Sequence, residues 1–169
     1  MMLMNKKRGA ILATSVYADG KLGADDAEIT PPDVEFLTAT IQAAGELTVP
    51  LAGLVGDMEF GITVSGASAD LNILAQPEQH TVVCNAVQQV IGIDGSVKEE
   101  QIKYTVTGFG KKVPSATAKQ GEASSQAYTI SCISYKMAVD GEEITNINKL
   151  TGDCVVNGKN YGSNIRSLL

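Results

Sequence analysis

His80 is the sole histidine of this 169-residue chain, so acid–base chemistry near neutral pH would have to run through it. A lone histidine with no serine or cysteine nucleophile marked beside it reads as a structural or surface residue. The three cysteines, Cys84, Cys132 and Cys154, are odd in number and widely spaced, and no CxxC pair occurs. That suggests neither a zinc site nor a disulfide framework, and it suits a chain that folds in a reducing cytosol. Cys132, in the middle of an apolar run, is expected to be buried and inert. Acids gather at Asp19, Asp25, Asp26, Glu28, Asp33 and Glu35, but without the alternation around a glycine and the closing glutamate of a calcium loop. They read as a solvated acidic face, as do the pairs Glu99–Glu100 and Glu142–Glu143 after turns. The run GFGKKVPS at 108–115 has the glycines and lysines of a phosphate loop in the wrong order, with no helix after it. GxxxxGK[ST], a GxGxxG after a strand, HExxH and GxSxG are all absent. No catalytic, cofactor-binding or metal-ligating residue is assigned, and the chain is expected not to be an enzyme.

Composition narrows the class. At 44% hydrophobic and 19% charged the chain is globular, and its length suits one domain over 1–169. A net charge of −6 lacks the basic footprint of a dedicated nucleic-acid binder. No apolar run approaches the roughly 18 residues of a membrane span, and the apolar run in MMLMNKKRGAILATSVYA is too short for a secretory signal.

The pattern along the chain is mostly strand. Residues 10–18 are β-compatible and DGKLGADD follows as a turn. Pro31 and Pro32 force extended geometry ahead of a strand at 34–41, and 58–65 is another. Between them, AAGELTVPLAGLVGD is apolar, rich in Gly and Ala, and broken by Pro50. It reads as an extended loop, about 41–57, whose Leu47, Val49, Leu51, Leu54 and Val55 make it a candidate contact element. One helix is expected from an N-cap at Ser68 to a stop before Pro77. TVVCNAVQQVIGI is a long β-branched run. In QIKYTVTGF, Ile102, Tyr104 and Val106 alternate with Lys103, Thr105 and Thr107, as in a half-buried strand. A soft polar loop at 114–127 then feeds a long strand at 128–139. Tyr128, Ile130 and Cys132 share one face there, and Ile133, Tyr135, Met137 and Val139 share the other. The apolar side therefore switches near Ser131, as in a strand that changes sheet or gains a second partner. Asp140 and Gly141 signal a tight hairpin, and EEITNINKL returns. The expected fold is mainly β: an antiparallel sandwich or barrel with one flanking α-helix and extended loops or hairpins.

The run TVTGFGKKVPSATAKQGEASSQAYTISCISYKMAVDGEEITNINKL resembles the C-terminal half of the major tail tube proteins of contractile-tailed bacteriophages. Lys119, Gln120, Gly121 and Glu122 match that family's loop. Asp140, Gly141 and Glu143 match its turn, and Ile147 and Asn148 its closing strand. Tyr17, Asp19, Gly20 and the Ile29-Thr30-x-Pro32 run are similar to its opening hairpin, and NIRSLL is similar to its short end. Residues 46–95 match only in layout.

The resemblance implies hexameric rings stacked into a hollow tube inside a contractile sheath, with the matched loop and turn residues as inter-subunit contacts. It implies sheath, baseplate and tail-terminator partners, a tape-measure protein and phage DNA transiently in the lumen, and no membrane anchor. The setting would be a virion tail assembled in a bacterial cytoplasm, with no cofactor. A DNA-free tailocin or related contractile injection system would use the same subunit. The residues alone also leave open a β-sandwich binding module or a small enzyme.

Overall fold

The computed structural model describes residues 6–169; residues 1–5, where the MMLMN start of the signal-peptide reading falls, lie outside the described part. The strands are β1 (Lys7–Ala18), β2 (Lys21–Asp25), β3 (Glu28–Thr30), β4 (Phe36–Gln42), β5 (Glu46–Val55), β6 (Glu59–Ser65), β7 (Gln79–Ile91), β8 (Val97–Gly110), β9 (Ser125–Val139), β10 (Glu142–Asn148), β11 (Asp153–Val156) and β12 (Lys159–Asn160). A 3-10 turn spans Asn72–Ala75, and a short helix, α1, spans Tyr161–Arg166. Strands take up 60% of the described residues, far above the usual 20–25%, and every pairing is antiparallel.

Ten of the twelve strands form one sheet that forks at β9. Residues 102–110 of β8 flank β9 on one side, from Ile130 to Val139. On its other side the first half pairs with β6, from Ser65↔Ser125 to Glu59↔Ser131, and the second half with β10, from Asn148↔Ser134 to Glu142↔Val139. The change of partner coincides with a register shift in which Thr107 faces Ser134 but Gly108 faces Cys132. Ile133 is the extra residue of a bulge, which reverses the inward face. Tyr128, Ile130 and Cys132 are buried before it and Tyr135 after it. The switch lies two residues beyond the expected Ser131, and its cause is the expected second partner.

The path β3–β6–β9–β8–β7–β1–β2 curls round so that its two end strands are joined by only Asp26 and Ala27, without pairing to each other. β1 holds this corner: Asp26 N–H donates to Thr14 O (2.9 Å) and Thr14 Oγ1 donates to Ala27 O (2.7 Å). This curl leaves a barrel-like core filled from all walls, with Val16, Phe60, Ile62, Val82, Val106 and Ile130 fully buried. Leu71 and Leu74 of the 3-10 segment plug it. β7 shows the strand period most completely, since His80, Val82, Cys84, Ala86, Gln88 and Val90 all point inward.

Three two-residue hairpins use Asp19-Gly20, Asp140-Gly141 and Asn157-Gly158, each with φ near +50° and then +80°. Type I′ turns need positive φ at both central positions, so an Asx-Gly pair fits all three.

Three expectations are corrected. The stretch 41–57 is not a loop: β4 and β5 pair as a separate two-stranded sheet, with Gln42↔Glu46, Ile41↔Leu47 and Thr38↔Pro50. Pro50 is tolerated because both strands of a two-stranded sheet are edges, where a missing N–H costs no ladder bond. The helix from Ser68 reduces to the 3-10 turn. Ser68 Oγ accepts from Asp70 N–H (3.1 Å), and the cap position falls to Leu71, with no side-chain cap bond. Gln76, the residue before Pro77, is already extended (ψ 136°), as a following proline favours, and the helical piece is only Asn72–Ala75. The flanking helix lies instead at the C-terminal end, where Asn160 Oδ1 accepts from Ser163 N–H (3.1 Å). Within DGKLGADD only Asp19 and Gly20 turn; 21–25 is strand β2.

Tyr128 is buried, and its hydroxyl is the one buried side-chain polar atom without a partner among the described residues. Removing an unpaired buried hydroxyl relieves a desolvation cost of about 1–3 kcal/mol. Tyr128→Phe is expected to melt at the same temperature as the parent or above it; a loss exceeding about 1 kcal/mol in denaturant titration would show that the hydroxyl is partnered.

Candidate assembly surface

His80, Asp19 and Glu100 each tie elements of the barrel together. His80 is 2% exposed, at the start of β7. Its Nδ1 lies 3.1 Å from Asp19 Oδ2 and its Nε2 lies 3.0 Å from the Gln76 carbonyl. The ring therefore bridges the β1–β2 turn and the segment after the 3-10 turn, with a polar neighbour at each nitrogen. Asp19 Oδ1 also accepts from Thr81 N–H (2.9 Å). Partial burial pushes the Asp19 carboxyl up, but the Thr81 N–H and His80 outweigh it and hold it below its ordinary value. Asp19 is therefore a tie between elements, which corrects its reading as part of a solvated acidic face.

Glu100 is likewise mostly covered. Arg8 Nε (2.9 Å) and Gln88 Nε2 (3.2 Å) donate to its Oε2, and the Arg8 hydrogen bond is the main cause of its lowered pKa. This network explains how a glutamine occupies an inward position of β7. All three thiols are buried; burial pushes Cys84 up to about 12 and Cys132 up to about 11, and raises Cys154. Among the described residues no cluster of three or more His, Cys, Asp or Glu could hold a metal ion, and no helix is long and apolar enough to cross a membrane. In the GFGKKVPS run, Gly110 lies against the Leu74 and Gln76 carbonyls and Lys111 pairs with Glu59, so its glycine serves close packing.

The expected contact residues occupy three separate places, and no hydrogen bond or ion pair among the described residues links them. On β5, Leu47 (49% exposed) and Leu54 (51%) face outward, whereas Val49, Leu51 and Val55 are half-buried. Leu51 lines a 250 Å³ apolar groove with Phe36, Pro50, Val156 and Tyr161, and Val55 packs against the core. Lys119, Gln120, Gly121 and Glu122 form an exposed turn. Glu122 N–H donates to Lys119 O (3.2 Å), Lys119 Nζ pairs with Glu122 Oε1 (2.9 Å), and Gly121 takes the positive φ of +81° that the third position of a type II turn demands. The segment 111–124 around it has no regular structure, but 125–127 already belong to β9. Asp140 and Gly141 cap the β9–β10 hairpin beside Arg8 and Glu100, and Glu143 pairs with Lys136 (3.3 Å).

Sequence reasoning missed two surfaces. Residues 7–13 of β1 pair with β7 on one side, and residues 97–100 of β8 pair with β7 on one side, with no strand on the other among the described residues. This three-stranded ribbon carries Ile11, Leu12, Ile91, Ile93 and Val97 exposed, Ile93 at 82%. The β1 edge runs for seven residues with Ile11 and Leu12 exposed, the kind of edge that invites another chain, while the β8 edge is four residues, Val97 to Glu100, mostly charged. The second surface is α1, whose Ile165 and following Leu168 and Leu169 are exposed. Strand pairing across the whole chain would have been needed to find the first, and six residues give too short a pattern to find the second.

The described residues thus form a barrel-like antiparallel sheet with unpaired edges and a separate β4–β5 hairpin. The chain belongs to a family described as phage tail tube protein FII, whose profile matches residues 9–169. No curated protein matches. Among solved structures, the sheath/tube terminator of PVC, an extracellular contractile injection system, in its extended state, aligns with a TM-score of 0.52 at 11% identity, over 74% of this chain and 92% of that one. The PVC sheath–tube complex in the extended state aligns at 0.49 and 12% identity, over 74% and 87%. The first shares the fold; the second likeness is too low to add to it.

With all three thiols buried and two raised well above neutral, a disulfide-exchange reagent at pH 8 is expected to titrate no cysteine in the folded chain and three after unfolding. One fast thiol in the native protein would contradict the burial. For the tie at Asp19, a depressed folded pKa contributes stability that is complete above the unfolded value near 3.8 and is lost as pH falls through the folded value. Asp19→Asn is expected to flatten the acid limb of a melting-temperature profile below about pH 4, and His80→Ala to cost about 2 kcal/mol or more at pH 7. An unchanged profile in Asp19→Asn would remove the carboxylate from the tie.

Proposed function

We propose that this chain is the inner-tube subunit of a contractile phage tail, assembling as hexameric rings that stack into a hollow tube for DNA. Family membership supports the class, and the observation that carries the assembly is the pair of unpaired edges on opposite sides of one ribbon. An edge on β1 and another on β8 are different surfaces, so joining them between copies is heterologous, and rings arise when the rotation closes. Backbone pairing would continue from one copy to the next and turn the ribbons into one β-lined wall, covering apolar side chains that a monomer leaves wet.

Stacking falls to the elements outside the barrel wall. The β4–β5 hairpin is not hydrogen-bonded to the main sheet, and its outer half, from Thr40 to Thr48, is exposed. The exposed turn at Lys119–Glu122 offers a second contact of opposite character, charged and without apolar anchors. The sheath would lie outside the tube, with baseplate and terminator proteins at its ends and the tape-measure protein and DNA in the lumen. A net charge of −6 fits passage of DNA, because a wall without a basic footprint holds few phosphates. The role is structural; the polar groups that could react are engaged as ties.

Leu54→Asp places a charge on the exposed face of β5. In the monomer this should change stability by less than about 0.5 kcal/mol. In a tube it would bury an unpaired charge, and growth should stop. Negative-stain microscopy of the parent is expected to show rings or tubes with a central hole. A monomer of 17.7 kDa that persists at high concentration, or normal tubes from Leu54→Asp together with Leu47→Asp, would overturn the assignment of ring formation or of hairpin stacking respectively.

A further inference from the structure

The geometry points to α1 as a strut that sets the direction of the β4–β5 hairpin, acting through a hinge in β5. The ladder between β4 and β5 is broken at one place. Thr38 faces Pro50 and Phe36 faces Val55, so residues 51–54 of one strand stand against Leu37 of the other. Gly53 within this bulge has φ +82°, a left-handed conformation strained for any residue with a Cβ. A bulge of this kind bends its strand and divides the hairpin into a base, near Phe36 and Val55, and an arm from Thr38 to Pro50. No main-sheet strand pairs with either half, so nothing in the β ladder fixes the angle between them.

What fills the bend is the helix. A Cβ built at Gly53 would lie 3.3 Å from Ile165 Cδ1 and 3.5 Å from the Gly162 Cα. Gly162 is the buried residue of α1, and on its other side it packs directly against the Gly152 carbonyl, too close for any side chain. The helix is thus wedged between the bulge and the β10–β11 turn. That turn is itself secured: Gly152 N–H donates to Asn148 O (2.8 Å), and Asn148 Oδ1 accepts from Leu150 and Thr151. At the helix start, Asn160 caps α1 while its Nδ2 donates to Asp153 Oδ1 (3.3 Å). A rigid path therefore runs from β10 through Gly152 and Gly162 to Gly53, and Ile165 closes it. Gly53, Gly162 and Ile165 are positioning residues: Gly162 is buried and Ile165, though partly exposed, reaches Gly53 with its Cδ1, and together they decide where Leu47 and the rest of the arm point. The strut is a property of the single chain; its consequence for stacking rests on the reading of the hairpin as the inter-ring contact.

Two spin labels test it, one at Glu46→Cys on the arm and one at Lys103→Cys on β8, the native thiols being buried. The parent is expected to give one narrow distance distribution. Ile165→Ala, which removes the closing side chain without a clash, and Gly162→Val, which drives the helix off Gly152, should broaden it at least twofold. Amide exchange over 39–49 should rise at least tenfold, and exchange in β7, β8 and β9 should stay unchanged. If Gly162→Val fails to fold, Ile165→Ala alone decides. A distribution as narrow in Ile165→Ala as in the parent overturns the strut. Broadened distances with normal tubes would uphold the strut and remove the hairpin from stacking. Narrow distances with tube growth lost would overturn the strut and make α1 itself a contact.

Discussion

A strand buried within a sheet must have its backbone groups paired on both sides, and β9 meets that demand with two partners in succession. A single neighbour could not do it, because β6 ends its pairing at Ser131 and β9 runs to Val139. The extra residue at Ile133 lets β10 take over and turns the inward face over at the same step. Both halves of the molecule depend on this exchange. Through β6 and β3 the first half closes the barrel at the corner of Asp26 and Ala27. Through β10 and β11 the second half builds the platform on which α1 rests, and with it the base of the hairpin. A backbone hydrogen-bonding requirement in the middle of one strand thus reaches both the enclosed core and the projecting arm.

The β class, the order of most strands and the double-faced character of β9 were legible because they rest on local patterns: alternation, β-branched runs and Asx-Gly pairs. Asp140 and Gly141 lay where their dipeptide placed them, since a type I′ turn demands residues that tolerate positive φ. What failed were decisions that a window cannot make. Pro50 argued against a strand, but a proline is tolerated or not according to whether its strand has one neighbour or two, which is tertiary information. Ser68 looked like an N-cap, but its side chain closes a local turn with Asp70 and the helical piece is only Asn72–Ala75. Of the contact residues, composition marked an apolar segment but did not separate Leu54, which faces outward, from Val55, which packs against the core. The unpaired edges of β1 and β8 were invisible because an edge is defined by a missing partner.

The polar residues give a second view of the same economy. Histidine, glutamine and asparagine each appear where the core or an end would otherwise leave donors or acceptors bare. His80 joins the β1–β2 turn to the segment after the 3-10 turn, Gln88 ties an inward position to Glu100, and Asn160 starts α1 while binding β11 through Asp153. Such residues in a cleft, converging on a vacant point, would suggest catalysis. Here each of the three faces a protein acceptor or donor and fixes one strand or turn to another.

The closing partner of β6 arrives late. Ser65 pairs with Ser125 and Glu59 with Ser131, so the chain that completes the barrel is far removed in sequence from the strand it completes. At about 5–20 residues per second on a ribosome, β6 waits on the order of 3–12 s with an open edge and with Phe60 and Ile62 uncovered. Non-local pairings of this kind also slow folding once the chain is free. Synthesis therefore passes through an interval in which the nascent chain presents apolar strand edges before any native enclosure exists. A cell making many copies of this subunit at once meets that hazard on every one of them, and crowded polysomes would make it a matter of encounters between neighbouring unfinished chains.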